Sequence, residues 1–137
     1  MPVSKTSPFK RTRLLIASPD RYFRIQTGEI LSGSGYGQLR SADTARGVLE
    51  SVARDDLDII LLDEDLPLLS PPELLRMIRG ARLEGYQPRI VLIVARPTRT
   101  VVEEARRAGF DALIAKPIIP VRLIRTIEHL HSVGLAA

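Results

Sequence analysis

Apolar positions along the chain fall into short continuous runs separated by stretches with helical spacing. Ile59, Ile60, Leu61 and Leu62 form one run, and Arg89 to Ala95 (R-I-V-L-I-V-A) contains another. Neither alternates with polar residues, as a strand with one wet face would. Both therefore predict strands covered on two faces, the pattern of parallel sheets. Arg13 to Ser18 (R-L-L-I-A-S) predicts a first strand, a weaker signal near Gln38 to Ser41 a second, and Ala112 to Ala115 a fifth. Between these runs a helix is predicted over Arg21 to Ser32, with Tyr22, Phe23, Ile25, Ile30 and Leu31 as its apolar residues. A second helix is expected from Thr44 to about Arg54, N-capped by Asp43 and burying Ala45, Val48, Leu49 and Val52. A third is expected over Glu73 to Leu83, after Pro71 and Pro72, residues that suit a first turn. A fourth opens on Thr98 or Thr100, places Val101, Val102, Ala105 and Ala108 in the core, and stops at Gly109. The last runs from Val121 to about Val133 through Leu123, Ile124, Ile127 and Leu130.

Strands that alternate strictly with helices imply a parallel sheet with right-handed crossovers and helices on both faces, a small doubly wound α/β domain. With 137 residues the chain has room for one such domain, expected over residues 12–134. Residues 1–11, with Pro2 and Pro8 among Ser, Thr and Lys, read as a disordered lead-in. They lack the apolar core of a secretory signal, and no apolar stretch is long enough to span a membrane, so a soluble, cytoplasmic protein is expected.

Composition changes that picture in two places. Cysteine is absent, which excludes disulfides and thiolate metal sites. Net charge is +4, and apart from Lys5, Lys10 and Lys116 every basic side chain is arginine. Arginine's planar fork pairs with carboxylates and phosphates and stacks on flat rings, so an acidic protein, a nucleotide or a nucleic acid would suit such a surface. Most of these arginines are expected to be ordinary solvated helix faces.

The third run ends on Asp63, Glu64 and Asp65, and Pro67 forbids simple continuation of the ladder. Asp63 is thereby placed at the carboxyl end of a buried central strand, the edge where α/β sheets bind ligands. The same acids would also serve simply to solvate a strand end. Lys116, followed by Pro117, ends the fifth strand on the same edge. A carboxylate and an ammonium on neighbouring strand ends suit the handling of a phosphoryl group.

The stretches D-I-I-L-L-D-E-D-L-P, then P-P-E-L-L, then A-G-F-D-A-L-I-A-K-P resemble the receiver domain of bacterial two-component response regulators, from about Arg13 to Val133. The resemblance implies a flavodoxin-like (βα)5 fold with strand order 2-1-3-4-5 and Leu15, Ile60, Leu61, Leu92 and Ile93 in the core. It implies Asp63 as phosphoacceptor from a kinase histidine and Lys116 as the phosphoryl-contacting lysine. It also implies an acidic pair holding magnesium, a strand-four hydroxyl and a strand-five aromatic. Those positions read Ser18 and Pro19, Val94, and Leu113. None supplies the expected group, so magnesium binding is expected to be weak at best and no cofactor is expected. Asp65 is a further carboxylate near the pocket, and Asp20 is expected to cap the first helix.

The expected function is that of a stand-alone, atypical receiver, a signalling protein and not an enzyme. It would act by protein–protein binding with little dependence on phosphorylation. Its partner would be a histidine kinase, a phosphotransfer protein or another signalling or motor component. Arg99, Arg106, Arg107, Arg122 and Arg125 mark the partner face, which in receivers is built from helix four, strand five and helix five and also serves homodimers. Two alternatives stand beside this reading: a working phosphoacceptor at Asp63, and an arginine-based binder of a cyclic dinucleotide or nucleic acid. His129 and His131, two apart near the end of the last helix, make a poor metal pair and are expected to meet exposed carbonyls.

Overall fold

The computed structural model describes residues 11–81 and 85–136. Apart from Arg11, the expected lead-in lies outside these residues, as does the expected end of the third helix at Leu83. The elements alternate as β1 (Arg13–Ala17), α1 (Arg21–Gly33), β2 (Gln38–Ala42), α2 (Ala45–Arg54), β3 (Ile59–Asp63), α3 (Pro71–Ala81), β4 (Arg89–Val94), α4 (Arg99–Ala108), β5 (Ala112–Ala115) and α5 (Pro120–Ala136). All strand pairs are parallel and their spatial order is β2-β1-β3-β4-β5, the flavodoxin-like arrangement expected. Among the described residues no helix is long and apolar enough to cross a membrane.

Local chemistry sets where the helices start. Asp20 accepts hydrogen bonds from the Tyr22 and Phe23 amides and caps α1, as expected. Helix α2 is capped by Thr44 instead of the expected Asp43: Thr44 is extended, and its Oγ1 accepts from the Gly47 amide at 2.9 Å. Helix α3 begins at Pro71, two residues before the expected Glu73, because Ser70 and Glu73 form a reciprocal box. The Ser70 amide bonds a Glu73 carboxylate oxygen at 2.9 Å, and the Glu73 amide bonds Ser70 Oγ at 3.3 Å. These Ser70 bonds also lower the Glu73 pKa. Thr98 caps α4, and Gly109 ends it in the left-handed conformation at φ 105°. Helix α5 continues to Ala136, so His129 and His131 do not sit at its terminus, and His131 Nε2 is buried without a hydrogen-bond partner among the described residues instead of meeting an exposed carbonyl as expected.

The strands bury both faces. Leu15, Ile60, Leu62 and Ile90 pack toward Val48 and Val52 of α2 and Leu74, Leu75 and Ile78 of α3. Leu14, Ile16, Leu61 and Ile93 pack toward Leu31 of α1 and Leu123 and Ile127 of α5. Each such side chain stabilises the fold by about 1.5 to 3 kcal/mol relative to exposure. The expected core residues Leu15, Ile60, Leu61, Leu92 and Ile93 are all buried.

Four others expected inside are only half-buried: Leu49, Val101, Val102 and Ala108. Helix α4 buries Ala105 alone, against Leu92 and Val94. On α1, Tyr22 is 68% and Ile25 48% exposed. The inward stripe of that helix runs instead through Phe23, Thr27, Ile30 and Leu31, leaving Tyr22 and Ile25 outside it.

Candidate functional site

Strand β3 carries Asp63 to the carboxyl edge, where its side chain is 1% exposed. A carboxylate in such a place must be bonded or neutralised, because burying it bare costs several kcal/mol. Side chains past the ends of two other strands, and one backbone amide, supply the partners. Lys116, just past β5, reaches both Asp63 oxygens with Nζ, at 2.9 and 3.0 Å. Ser18, just past β1 and fully buried, donates its hydroxyl to Oδ2 at 2.6 Å. The Asp65 amide donates to Oδ1 at 2.9 Å. An ionised carboxylate offers about four acceptor positions, and these four hydrogen bonds occupy that capacity.

The outer layer holds this arrangement in place. The Asp20 amide donates to Ser18 Oγ at 3.1 Å, which aims the serine proton at Asp63. Arg24 of α1 donates from Nη1 to the Ser18 carbonyl at 2.7 Å. Lys116 also bonds Asp65 Oδ2 at 3.3 Å and lies 5.3 Å from the centre of the Phe23 ring. Burial alone would push the Lys116 pKa down, but its bonds and charge interactions with Asp63, then Asp65, outweigh burial and raise it. Glu64 turns away from this cluster and accepts from the Ala95 amide at 2.6 Å, fastening the exit of β4 to that of β3.

The remaining positions fall where the sequence places them but bring other groups. Pro19 is exposed at the mouth. Val94 is 1% exposed and packs with Leu92 and Ala105, with no hydroxyl to offer. Leu113 is half-buried on β5. Arg99, Arg106, Arg107, Arg122 and Arg125 are all exposed, and none forms a salt bridge among the described residues. Arg122 and Arg125 line a groove of about 560 Å³ together with Pro97, Leu113, Ile119 and Lys116. Lys116 thus connects the buried carboxylate to an open arginine-lined surface. Among the described residues no three acids or histidines gather as a metal-ligand set.

Phe23, Arg24 and Glu64 were not singled out by sequence reasoning as parts of this site. Phe23 and Arg24 are distant from Asp63 and Lys116 in the chain and read as ordinary helix residues. Glu64 read as one more acid at the strand end.

A parallel five-stranded sheet with an aspartate and a lysine joined at its carboxyl edge defines the receiver class of two-component signalling proteins. The chain matches the response regulator receiver domain family over residues 14–128 and belongs to that family. It is 24% identical to chemotaxis protein CheY-3 of Vibrio cholerae, over 87% of this chain and 91% of that protein. It is 27% identical to the sensory/regulatory protein RpfC of Xanthomonas campestris over 86% of this chain, which spans only 16% of RpfC. Among solved structures, a CheY-like response regulator receiver domain protein from Methanospirillum hungatei superposes with a TM-score of 0.79. That match has 26% identity and covers 92% of this chain and 98% of the other.

Proposed function

We propose that this receiver acts by binding another signalling protein through the α4–β5–α5 face, with little or no dependence on phosphorylation of Asp63. One observation carries the reading: Asp63 is buried and its acceptor positions are filled from within the chain. A carboxylate that attacks a phosphoryl group must present a free lone pair and must have its charge, and that of the incoming anion, offset in the transition state.

Magnesium offsets that charge in the family, and the donor set here does not fit it. Ser18 stands where a carboxylate would bind the ion, and its proton already points at Asp63. Asp65, the other nearby acid, is tied to Lys116. A hard cation relying on one or two carboxylates plus water would have to displace Lys116 from both. Without a strand-four hydroxyl or a strand-five aromatic, a phosphoryl group also has little means of favouring one conformation over another, and a ligand without such a difference shifts no equilibrium.

The unpaired arginines around the Arg122–Arg125 groove suit an acidic surface on a kinase, a phosphotransfer protein or another signalling component. Co-purification from the native cell with wild-type and Asp63→Asn protein tests the proposal. Equal partner recovery is expected, with loss of recovery for Arg122→Glu/Arg125→Glu.

A second reading, a working phosphoacceptor, is favoured by the retained contact between Lys116 and Asp63. Incubation with acetyl phosphate and magnesium separates the two. An acyl phosphate on Asp63 in intact-protein mass spectrometry, together with partner recovery that follows it, would establish the second reading.

A further inference from the structure

A different part of the molecule, the outer face of α2 and the loop after β3, carries an independent inference. Leu68 in that loop has φ 81°, in the left-handed region that glycine and asparagine tolerate and a bulky L-residue does not favour. Its side chain is also 98% exposed. The chain thus places a leucine where both the backbone and the solvent disfavour it. Strain of this kind at an exposed position is a sign of function, and here it holds an apolar side chain outward. Leu68 and Leu69 lie along Ala45, Leu49 and Ala53 of α2, forming an apolar groove broken only by Arg46 and Glu50 at its rim.

We propose that this groove is a self-association surface that takes a second copy of the same chain, with the two α2 helices antiparallel across a two-fold axis. The charges point to this occupant. Arg46 and Glu50 lie one turn apart, with side chains 89% and 64% exposed and only a long 3.7 Å contact between them. An antiparallel copy centred at the level of Val48 sets Arg46 against Glu50 of the partner helix, and Glu50 against its Arg46. A two-fold interface repeats every contact, so one pair of residues supplies two intermolecular ion pairs around the covered leucines. A uniformly acidic or basic partner would meet one like charge at every such pairing. The face lies on the β2 side of the sheet, away from the arginines of α4 and α5, so a dimer leaves the proposed partner face open.

Sedimentation equilibrium on the full chain, from about 10 μM to about 1 mM, spans weak specific association. A reversible dimer is expected. Leu68→Asn should weaken it at least tenfold while keeping or raising the melting temperature, because asparagine tolerates the left-handed region. Arg46→Glu and Glu50→Arg should each weaken it several-fold, and the double reversal Arg46→Glu/Glu50→Arg should restore it. A wild-type chain that stays monomeric across the range overturns the proposal. So does a dimer indifferent to Leu68→Asn, including one lost instead on reversing Arg122 and Arg125. A double reversal as weak as the single ones overturns the antiparallel pairing, and with it the second copy as occupant.

Discussion

Asp63 and Asp111 are both strand-end carboxylates joined to cations, at opposite edges of the same sheet. Asp111, before β5, accepts from the Ile90 amide at 2.7 Å and pairs with Arg79 at 3.1 Å and Arg89 at 3.6 Å. It is a partly exposed knot that ties α3, β4 and β5 together. Asp63 is almost wholly buried, and its partners are a lysine, a serine hydroxyl and one amide. A partly wet pair fastens elements at small desolvation cost, whereas a buried ion pair costs desolvation that its attraction seldom exceeds. The Asp111 cluster is therefore what a stable fold would be expected to build. On the proposed function, Asp63 and Lys116 are what remains of a phosphoryl site, with Ser18 bonding the carboxylate where the receiver resemblance implies an acid.

Removing partners from each carboxylate tests that contrast. Lys116→Met should have the largest effect, about 3 kcal/mol of stability lost in urea unfolding, because it leaves a buried charge without its cation. A loss below that of the Asp111 variant described next would mean that water reaches Asp63 readily and would break the comparison. Ser18→Ala removes one hydrogen bond to a charged group and should cost about 2 kcal/mol. Asp111→Ala should cost about 1 kcal/mol, since its arginines can turn to solvent.

Changing the groups offered to Asp63 sharpens the comparison further. Ser18→Asp/Pro19→Asp/Val94→Thr should lower the melting temperature in EDTA and recover it with magnesium, a response absent from the wild type. Amide shifts followed by NMR should then spread from Asp63 toward α4 only in this variant when beryllofluoride is added.

Alkaline pH probes both edges and should have the smallest effect near neutrality. At the carboxyl edge the Lys116 pKa is raised, so its contribution is whole below the ordinary lysine value and is lost as pH climbs past it. At the amino edge the Tyr86 phenol donates to Asp58, and that bond, with burial, pushes its pKa up to about 12. Burial, with Glu128 nearby, does the same for Tyr36. A phenol held protonated in the folded state stabilises it fully below about pH 10 and loses that contribution toward pH 12. Stability should therefore fall over this interval. Lys116→Met and Tyr86→Phe should each flatten the fall, and Asp111→Ala should not.

Much of this was legible in the chain because it depends on local periodicity and punctuation. The unbroken apolar runs at Ile59 to Leu62 and Ile90 to Val94 marked strands covered twice. Pro67 and Pro117 placed Asp63 and Lys116 at strand ends, and Gly109 stopped α4. Reading misplaced the cap of α2, where Asp43 and Thr44 are both suitable and backbone angles decide, and placed the start of α3 two residues late, past the Ser70–Glu73 box. It also overestimated how much of α4 is buried, since an amphipathic pattern does not say how deeply a helix sits.

Sequence alone determined which side chains stand at the carboxyl edge, and that Ser18, Pro19, Val94 and Leu113 lack the groups that the receiver resemblance implies there. Only the tertiary structure decided what replaces those groups. Ser18 meets Asp63 because β1 and β3 are adjacent and in register, with Ala17 beside Leu62. Lys116 reaches across β4 to both aspartates, and Phe23 comes beneath its ammonium from α1. The bonds that saturate Asp63 join residues as far apart as 53 positions in the chain. No periodicity carries such information, because hydrogen-bond geometry depends on distances that exist only once the sheet has formed.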